Sequence, residues 1–219
     1  VRRLARVRQI ELRHAALLWF DAYWLCAIEA TVRIYDQHGI ALEAHQQNVL
    51  LELDDEGMPV RSYYRDLQGV GLSACRREEL VALVPELRDQ AKVFEPDEIV
   101  RNGISYYLFC NQLHAVINRF GLDGLVDEAT LLDVARRKLS AMRGGLRQLG
   151  TALVEMLLGT RSVPCKGNLL TRVADMDELL AENELAVYTQ VDNPLFDAQL
   201  GLAAPRALRH AVGNVQETV

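Results

Sequence analysis

A long amphipathic pattern at the start of the sequence restricts the fold more than any other feature. Apolar residues recur at spacings of three and four, with Arg and Glu between them, which predicts one helix from about Leu4 to His38. Between Trp19 and Ile28 the pattern is apolar on almost every side, so this stretch is expected to run through the core. Gly39 follows and suits the left-handed position that ends a helix.

A short β-rich segment comes next. Residues 48–54 and 60–66 are predicted strands, and the turn between them contains Gly57 and Pro59. A loop with Gly69 and Gly71 closes the segment. The pattern therefore predicts a β-hairpin within residues 39–71.

Helical patterns return after residue 71. Helices are predicted at 77–90, 96–120, 127–143 and 146–158, then a loop at 159–167 and weaker elements at 169–173, 175–183 and 205–212. The fold class is α+β and mostly α: a helical lobe that carries a β-hairpin. We treat residues 1–219 as a single domain, with the long helix in 1–38, the hairpin segment in 39–71 and a helical region in 72–219.

Composition disfavours several classes of partner, although it leaves room for a local basic site. The net charge of −6 disfavours nonspecific binding to nucleic acid or to an anionic membrane, since both need a basic face. Asp21 and Glu29 interrupt the most apolar stretch, and a spanning helix needs about 20 mostly apolar residues. None of the four cysteines forms a C-x-x-C motif, which favours reduced thiols and a cytoplasmic protein. The first residue is Val1 rather than Met, which suggests a piece of a longer protein.

The hairpin carries a concentration of polar residues at its open end. Six residues from Glu43 to Asn48 contain one carboxylate, one imidazole and three amides. Asn48 and Asp66 are equally distant from Gly57, so a regular hairpin would place them opposite each other, about 5 Å apart at Cβ. Amide and carboxylate oxygens at that separation are able to share one Mg²⁺, with Glu43 or Gln47 as a further ligand.

This arrangement predicts half of an ATP–magnesium site, with His45 placed near a phosphate. A plainer interpretation stays open. Polar residues at a junction between helix and strand often cap backbone groups. Asp66 would then pair only with Arg65 or Arg61 at the surface, which contributes little stability. Further along, Asn111 and Asn118 share a helical face with His114, so that helix is a candidate wall of the site.

Four runs of residues together resemble the C-terminal part of the NRPS-independent siderophore synthetases, the IucA/IucC family. The runs are Gly39-Ile40-x-x-Glu43-Ala44-His45-x-Gln47-Asn48 with Arg65-Asp66-x-x-Gly69, then Tyr106-Tyr107-Leu108-Phe109-Cys110-Asn111-Gln112-Leu113-His114, then Lys166-Gly167-Asn168-Leu169-Leu170-Thr171-Arg172, and finally Asn193-Pro194-Leu195. The resemblance covers most of the chain, which would then be the C-terminal domain of a longer synthetase.

The resemblance implies a reaction and a set of roles. The family activates a carboxylate, often of citrate, with ATP to form an acyl-adenylate, which an amine, hydroxylamine or alcohol then attacks. The implied partners are these small molecules, the N-terminal lobe of the same protein and a second copy in a homodimer. The implied roles are nucleotide and phosphate contacts, Mg²⁺ ligands, and contacts to the carboxylate or nucleophile. The nucleotide and phosphate contacts would be His45, Gln47, Asn48 and Arg65, and the Mg²⁺ ligands would be Asp66, Asn48 and Glu43. The contacts to the carboxylate or nucleophile would be Lys166 and Arg172, and His45 would also be catalytic.

One departure keeps a second interpretation in view. The family's His-Pro-rich and Ser/Thr-Arg-Thr phosphate-binding runs are absent from this sequence, so the piece alone is expected to be nearly inactive. The same lobe is similar to FhuF-like ferric-siderophore reductases, which would make this a siderophore-binding or redox module. That group needs a C-terminal cysteine cluster, whereas Cys165 is the last cysteine here.

Overall fold

Helices make up most of the computed structural model, which describes residues 1–66, 69–166 and 188–198. The helices are α1 (Arg2–Arg8), α2 (Leu12–Tyr23), α3 (Ala30–His38), α4 (Arg77–Leu83), α5 (Asp97–Ile104), α6 (His114–Leu122), α7 (Glu128–Met142) and α8 (Gln148–Gly159). The strands are β1 (Ile40–Ala41), β2 (Val49–Leu53), β3 (Pro59–Tyr64), β4 (Gly71–Ser73), β5 (Phe94–Glu95), β6 (Ser162–Lys166) and β7 (Tyr188–Asp192). The prediction of a mostly helical α+β fold is confirmed.

The predicted N-terminal helix exists but is broken once. α1 ends at Gln9, whose φ of 52° is left-handed, and the chain re-enters a helix at Leu12. From there α2, a π-helical segment (Trp24–Glu29) and α3 run without a break to Gly39, whose φ of 68° ends the helix as predicted. By length and composition, the helix Leu12–His38 is able to cross a membrane. However, half of its most apolar 18-residue stretch is buried inside the fold.

Buried positions in this helix recur every four residues rather than every 3.6. Each such step overshoots an α-helical turn by roughly 40°, so five steps would carry the buried face about 200° round the helix. A π-helix takes more residues per turn, and the π-helical segment absorbs this drift. One such series is Ala16, Phe20, Trp24, Ile28, Val32 and Asp36, and a second beside it is Tyr23, Ala27, Thr31 and Tyr35.

The helical run from α5 to α6 shows the same combination of four-residue spacing and a π-helical segment. Val100, Ile104, Leu108 and Gln112 are buried at steps of four, and a second π-helical segment (Ser105–Leu113) joins the two helices. The predicted helix at 96–120 is therefore continuous, with a wide turn in its middle.

The hairpin of β2 and β3 packs on the first π-helical segment. Ser62 Oγ donates a hydrogen bond to the Cys26 carbonyl at 2.6 Å, and Tyr64 Oη donates to the Ala27 carbonyl at 3.1 Å. At the turn, Trp19 Nε1 donates to the Gly57 carbonyl at 3.0 Å. These bonds fix the hairpin along one side of the long helix.

The hairpin register differs from the predicted one. Val49 pairs with Tyr64, and the Arg65 N–H donates to the Asn48 carbonyl at 3.0 Å. Asn48 therefore lies opposite Arg65, and the prediction that it pairs with Asp66 is wrong. The turn centres the Leu53–Pro59 pair on Glu56, and the bulge between Glu52 and Leu53 leaves the rest of the ladder centred midway between residues 56 and 57.

Two further predictions from the sequence need correction. Residues 159–167 are not simply a loop, because β6 lies there and pairs antiparallel with β7. The helix predicted at 77–90 ends at Leu83, since Pro85 opens a separate 3₁₀ segment. The elements predicted at 169–173, 175–183 and 205–212 lie outside the described residues.

Both ends of α8 are capped by buried side chains from other parts of the chain. At its start, the Asp36 carboxylate accepts hydrogen bonds from the N–H groups of Arg147 and Gly150. At its end, the Asn193 amide donates to the carbonyls of Leu157 and Thr160, at 2.7 and 2.8 Å. These contacts give the Asn-Pro-Leu run a structural role.

Candidate functional site

An open cavity of about 500 Å³ lies where the hairpin segment, the second π-helical segment and β6 meet. Its lining is polar and aromatic, and combines one carboxylate, one ammonium group, one imidazole and three side-chain amides. The lining residues are Glu43, His45, Gln46, Gln47, Tyr106, Tyr107, Asn111 and Lys166.

The wall before β2 is a tight turn held by Asn48. The buried Asn48 amide donates to the Glu43 carbonyl at 3.3 Å, and its N–H donates to the His45 carbonyl at 2.9 Å. The turn leaves the side chains of Glu43, His45 and Gln47 on the cavity side. A β-carbon at Gly69 would collide with the Glu43 carboxylate, so only glycine lets the two approach this closely.

Tyr107, on the second π-helical segment, contacts both of the other cavity walls. Its ring centroid lies 5.7 Å from that of His45, and Lys166 Nζ lies 5.3 Å above the ring. The Tyr106 ring packs edge-on against it at 5.0 Å. An ammonium group over an aromatic face is held by the ring quadrupole, which orients Lys166 in the cavity.

The structure brings together some of the predicted site residues and separates others. Glu43, His45 and Gln47 line the cavity with Lys166, although more than 100 residues separate them along the chain. Asn48, Arg65 and Asp66 do not line it, and Arg172 lies outside the described residues.

The residues at the end of β3 face solvent. Arg65 is exposed, and its Nε donates to the Gln47 carbonyl at 2.9 Å, so it braces the cavity wall through the backbone. Asp66 is exposed and has a left-handed φ of 59°. Within residues 1–66, 69–166 and 188–198, no three His, Cys, Asp or Glu side chains form a group able to hold a metal.

The donor set suits an anionic ligand better than a metal held by protein alone. Lys166 supplies a positive charge, and His45, Gln46 and Gln47 supply hydrogen-bonding groups. Mg²⁺ usually takes one or two carboxylates plus phosphate oxygens, so Glu43 is the cavity residue that suits it.

The second π-helical segment contributes two tyrosines that the sequence analysis did not assign to the site, beside Asn111, which it did. Tyr106, Tyr107 and Asn111 line the cavity, which bears out Asn111 as part of its wall. Asn118 instead is exposed and donates to Glu128 Oε1 at 2.9 Å. Burial lowers the pKa of His114 to about 4, so this histidine is neutral at pH 7.

The four cysteines do not assemble a cluster site. Cys26 and Cys75 lie in separate parts of the fold, while Cys110 and Cys165 are near enough for one to influence the other. Burial, and then the neighbouring Cys165, raises the pKa of Cys110 to about 12, so it is a protonated thiol. These cysteines therefore do not provide the four converging thiolates that an iron–sulfur cluster needs.

Comparison with known proteins gives consistent matches. Residues 17–181 match the sequence profile of the family described as ferric iron reductase FhuF-like transporter. The chain is 38% identical over 195 residues to spermidine-citrate ligase of Bacillus anthracis, an alignment that covers 89% of this chain and 32% of that protein. It is 33% identical over 204 residues to the rhizobactin siderophore biosynthesis protein RhbC of Rhizobium meliloti, which covers 93% of this chain and 34% of that protein.

Among solved structures, the chain is similar to ATP-bound aerobactin synthetase IucA from a hypervirulent pathotype of Klebsiella pneumoniae. The TM-score is 0.76 at 27% identity, and the match covers 89% of this chain and 33% of that one. The chain thus spans about a third of the length of the relatives it matches.

Proposed function

The chain belongs to the FhuF-like family and its relatives are siderophore synthetases, and from this premise we propose that it is the C-terminal part of an ATP-dependent siderophore synthetase. The observation that carries the proposal is the cavity, which gathers Glu43, His45 and Gln47 with Lys166. Two relatives named as a citrate ligase and a siderophore biosynthesis protein, and a structural neighbour named as ATP-bound, support the reaction class.

The proposed reaction has two steps. A carboxylate oxygen of a citrate-like acid attacks the α-phosphorus of ATP, which forms an acyl-adenylate and releases pyrophosphate. An amine, hydroxylamine or alcohol then attacks the acyl carbon. AMP leaves, the nucleophile loses a proton, and an amide or ester remains.

Five of the cavity residues have a proposed role in this scheme. Lys166 offsets the negative charge of the phosphates or of the acid, and Tyr107 holds it in place. His45 hydrogen-bonds the nucleotide or accepts the proton of the nucleophile. Gln47 donates to a phosphate oxygen, and Glu43 completes the shell of a Mg²⁺ that the phosphates bring with them.

The remaining predicted site residues are not among those that line the cavity in the described part of the chain, and their roles are proposals. Asn48 shapes the turn and stays a proposed nucleotide and magnesium contact. Arg65 and Asp66, exposed beyond the end of β3, are proposed to meet the nucleotide and its magnesium from outside the cavity. Arg172 is proposed to contact the acid or the nucleophile.

The cellular setting follows from the same proposal. We propose a cytoplasmic enzyme that acts on small molecules and assembles as a homodimer, with the N-terminal lobe of the same protein completing the phosphate site. The 219 residues alone are expected to bind nucleotide weakly and to turn over little.

Calorimetry on the whole natural protein tests the proposal, with Mg·ATP as the ligand. Lys166→Gln is expected to weaken binding by about tenfold or more, because a hydrogen bond to a charged group is worth about 1.5–3 kcal/mol. Asp66→Ala is expected to remove the magnesium-dependent part of binding. The matched control is Lys92→Gln, an exposed lysine outside the cavity, which should bind like wild type.

Pyrophosphate release with citrate present gives the second readout. Wild type should release pyrophosphate, and Lys166→Gln should release it more slowly. Wild-type affinity in Lys166→Gln, together with no pyrophosphate release from wild type, would refute the proposal. A brown protein containing iron and sulfide would favour the reductase interpretation instead.

A further inference from the structure

Asn111 is a half-buried amide in the cavity wall without an evident structural task. Its side chain has no hydrogen-bond partner in residues 1–66, 69–166 and 188–198, although polar groups with restricted access to water are usually bonded. Asn118, in α6 of the same helical run, is exposed and bonded to Glu128. The side chain of Asn118 therefore has a structural hydrogen bond, whereas that of Asn111 has none within the described part of the chain.

The π-helical turn is what places Asn111 in the cavity wall together with Tyr106. These residues are five apart, and in an α-helix they would point roughly 140° away from each other. Hydrogen bonds from i to i+5 make the turn wider, so residues five apart return to nearly the same side. Both residues line the cavity for this reason.

The surroundings of Asn111 indicate which ligand group it meets. Gln46 and Gln47, the other amides of the cavity, are exposed to solvent, whereas Asn111 is partly shielded. A hydrogen bond made away from water is stronger than one made in it. Lys166 supplies positive charge to the same cavity, which favours a negatively charged oxygen beside an N–H donor.

We propose that Asn111 contacts the bound ligand and donates its amide N–H to an anionic oxygen. That oxygen belongs either to a phosphate of the nucleotide or to a carboxylate of the acid substrate. The inference rests on the proposed function, because it takes the cavity to be the ligand site of the synthetase.

Calorimetry on the whole natural protein separates the two sources of the oxygen. Mg·ATP and citrate are titrated separately into wild type, Asn111→Ala and Asn111→Asp. Asn111→Ala is expected to weaken one of the two ligands by about three- to tenfold, the usual range for one hydrogen bond. Asn111→Asp should weaken the same ligand further, because a carboxylate repels an anionic oxygen. The ligand affected identifies the source.

Asn118→Ala is the matched control and should bind both ligands as wild type does. Melting temperatures show whether each variant is folded, and Asn111→Asp preserves the size of the side chain if the alanine variant is unstable. If both Asn111 variants bind both ligands like wild type while Lys166→Gln does not, the inference is overturned and the proposed function stands. If wild type binds neither ligand, both are overturned.

Discussion

Removal of the buried carboxylate of Asp36 is expected to cost a large share of the stability of the fold. It lies on α3 with 2% of its surface exposed, and its two oxygens accept from the N–H groups of Arg147 and Gly150, each at 2.8 Å. Those N–H groups belong to the first turn of α8, where no carbonyl within the helix is available to them. The negative charge also faces the positive end of the helix dipole.

Asp36→Ala removes both acceptors at once. Loss of a helix cap costs about 1–2 kcal/mol. Leaving a buried donor without a partner costs about 1–3 kcal/mol. Because the two terms overlap, we expect the free energy of unfolding to fall by about 3 kcal/mol. Asp36→Asn keeps one acceptor oxygen and should cost roughly half as much.

Urea unfolding followed by circular dichroism measures these differences, provided that the slope with urea is the same in all variants. Asp55→Ala, in the exposed turn of the hairpin, is the control and should change stability by no more than about 0.5 kcal/mol. An Asp36→Ala variant as stable as the control would show that water replaces the carboxylate, and the capping argument would be refuted.

Three further predictions concern particular side chains. Gly150→Ala should destabilise by about 1–3 kcal/mol, since its β-carbon would lie 2.8 Å from the Asp36 β-carbon, whereas Gly103→Ala has open space and should stabilise by about 0.5–1 kcal/mol; two changes of the same sign would contradict this. Asn193→Ala should lower the melting temperature, because two carbonyls at the end of α8 lose their donor. The pKa of His114 is about 4 when folded and about 6.5 when unfolded, so the unfolded state binds the extra proton between these values. Stability should therefore fall as the pH drops through this window, by up to about 1.4 kcal/mol per pH unit, and urea unfolding of His114→Gln should lack this part of the pH dependence.

Features that depend on local sequence were predictable. The helix end at Gly39 follows from one glycine after a long apolar pattern, and the structure has the Gly39 N–H donating to the Tyr35 carbonyl at 2.7 Å. Asp127 was placed at the start of a helix, and its carboxylate accepts from the Thr130 N–H at 2.8 Å. In both cases the residues that interact are within four positions of each other.

The hairpin register was not predictable from its midpoint. The Asp54 carboxylate accepts from the N–H groups of Glu56 and Met58, at 2.9 and 2.8 Å, and so organises the turn. As a result Leu53 pairs with Pro59, which centres that pair on Glu56, and beyond the bulge the remaining pairs are centred midway between Glu56 and Gly57. A shift of one residue turns side chains to the other face of a strand. This moves the open end of the hairpin away from the predicted pairing at Asn48.

The composition of the cavity depends on contacts between distant parts of the chain. Lys166 belongs to β6, which pairs with β7 more than 20 residues later, and no local pattern predicts that it faces His45. The resemblance to the IucA/IucC family predicted Lys166 and His45 in one site, whereas their spacing along the sequence did not.

The four-residue repeat of buried positions is a signal in the sequence that points to the π-helical turns. In an α-helix the series from Val100 to Gln112 would drift by about 120°, more than the roughly 100° of an ordinary apolar face, and the wider turn keeps these positions buried together. The same wide turn brings Asn111 to the cavity beside Tyr106. Packing of the core and placement of a proposed ligand contact therefore have one physical cause. A variant that restored 3.6-residue spacing here would be expected to change both.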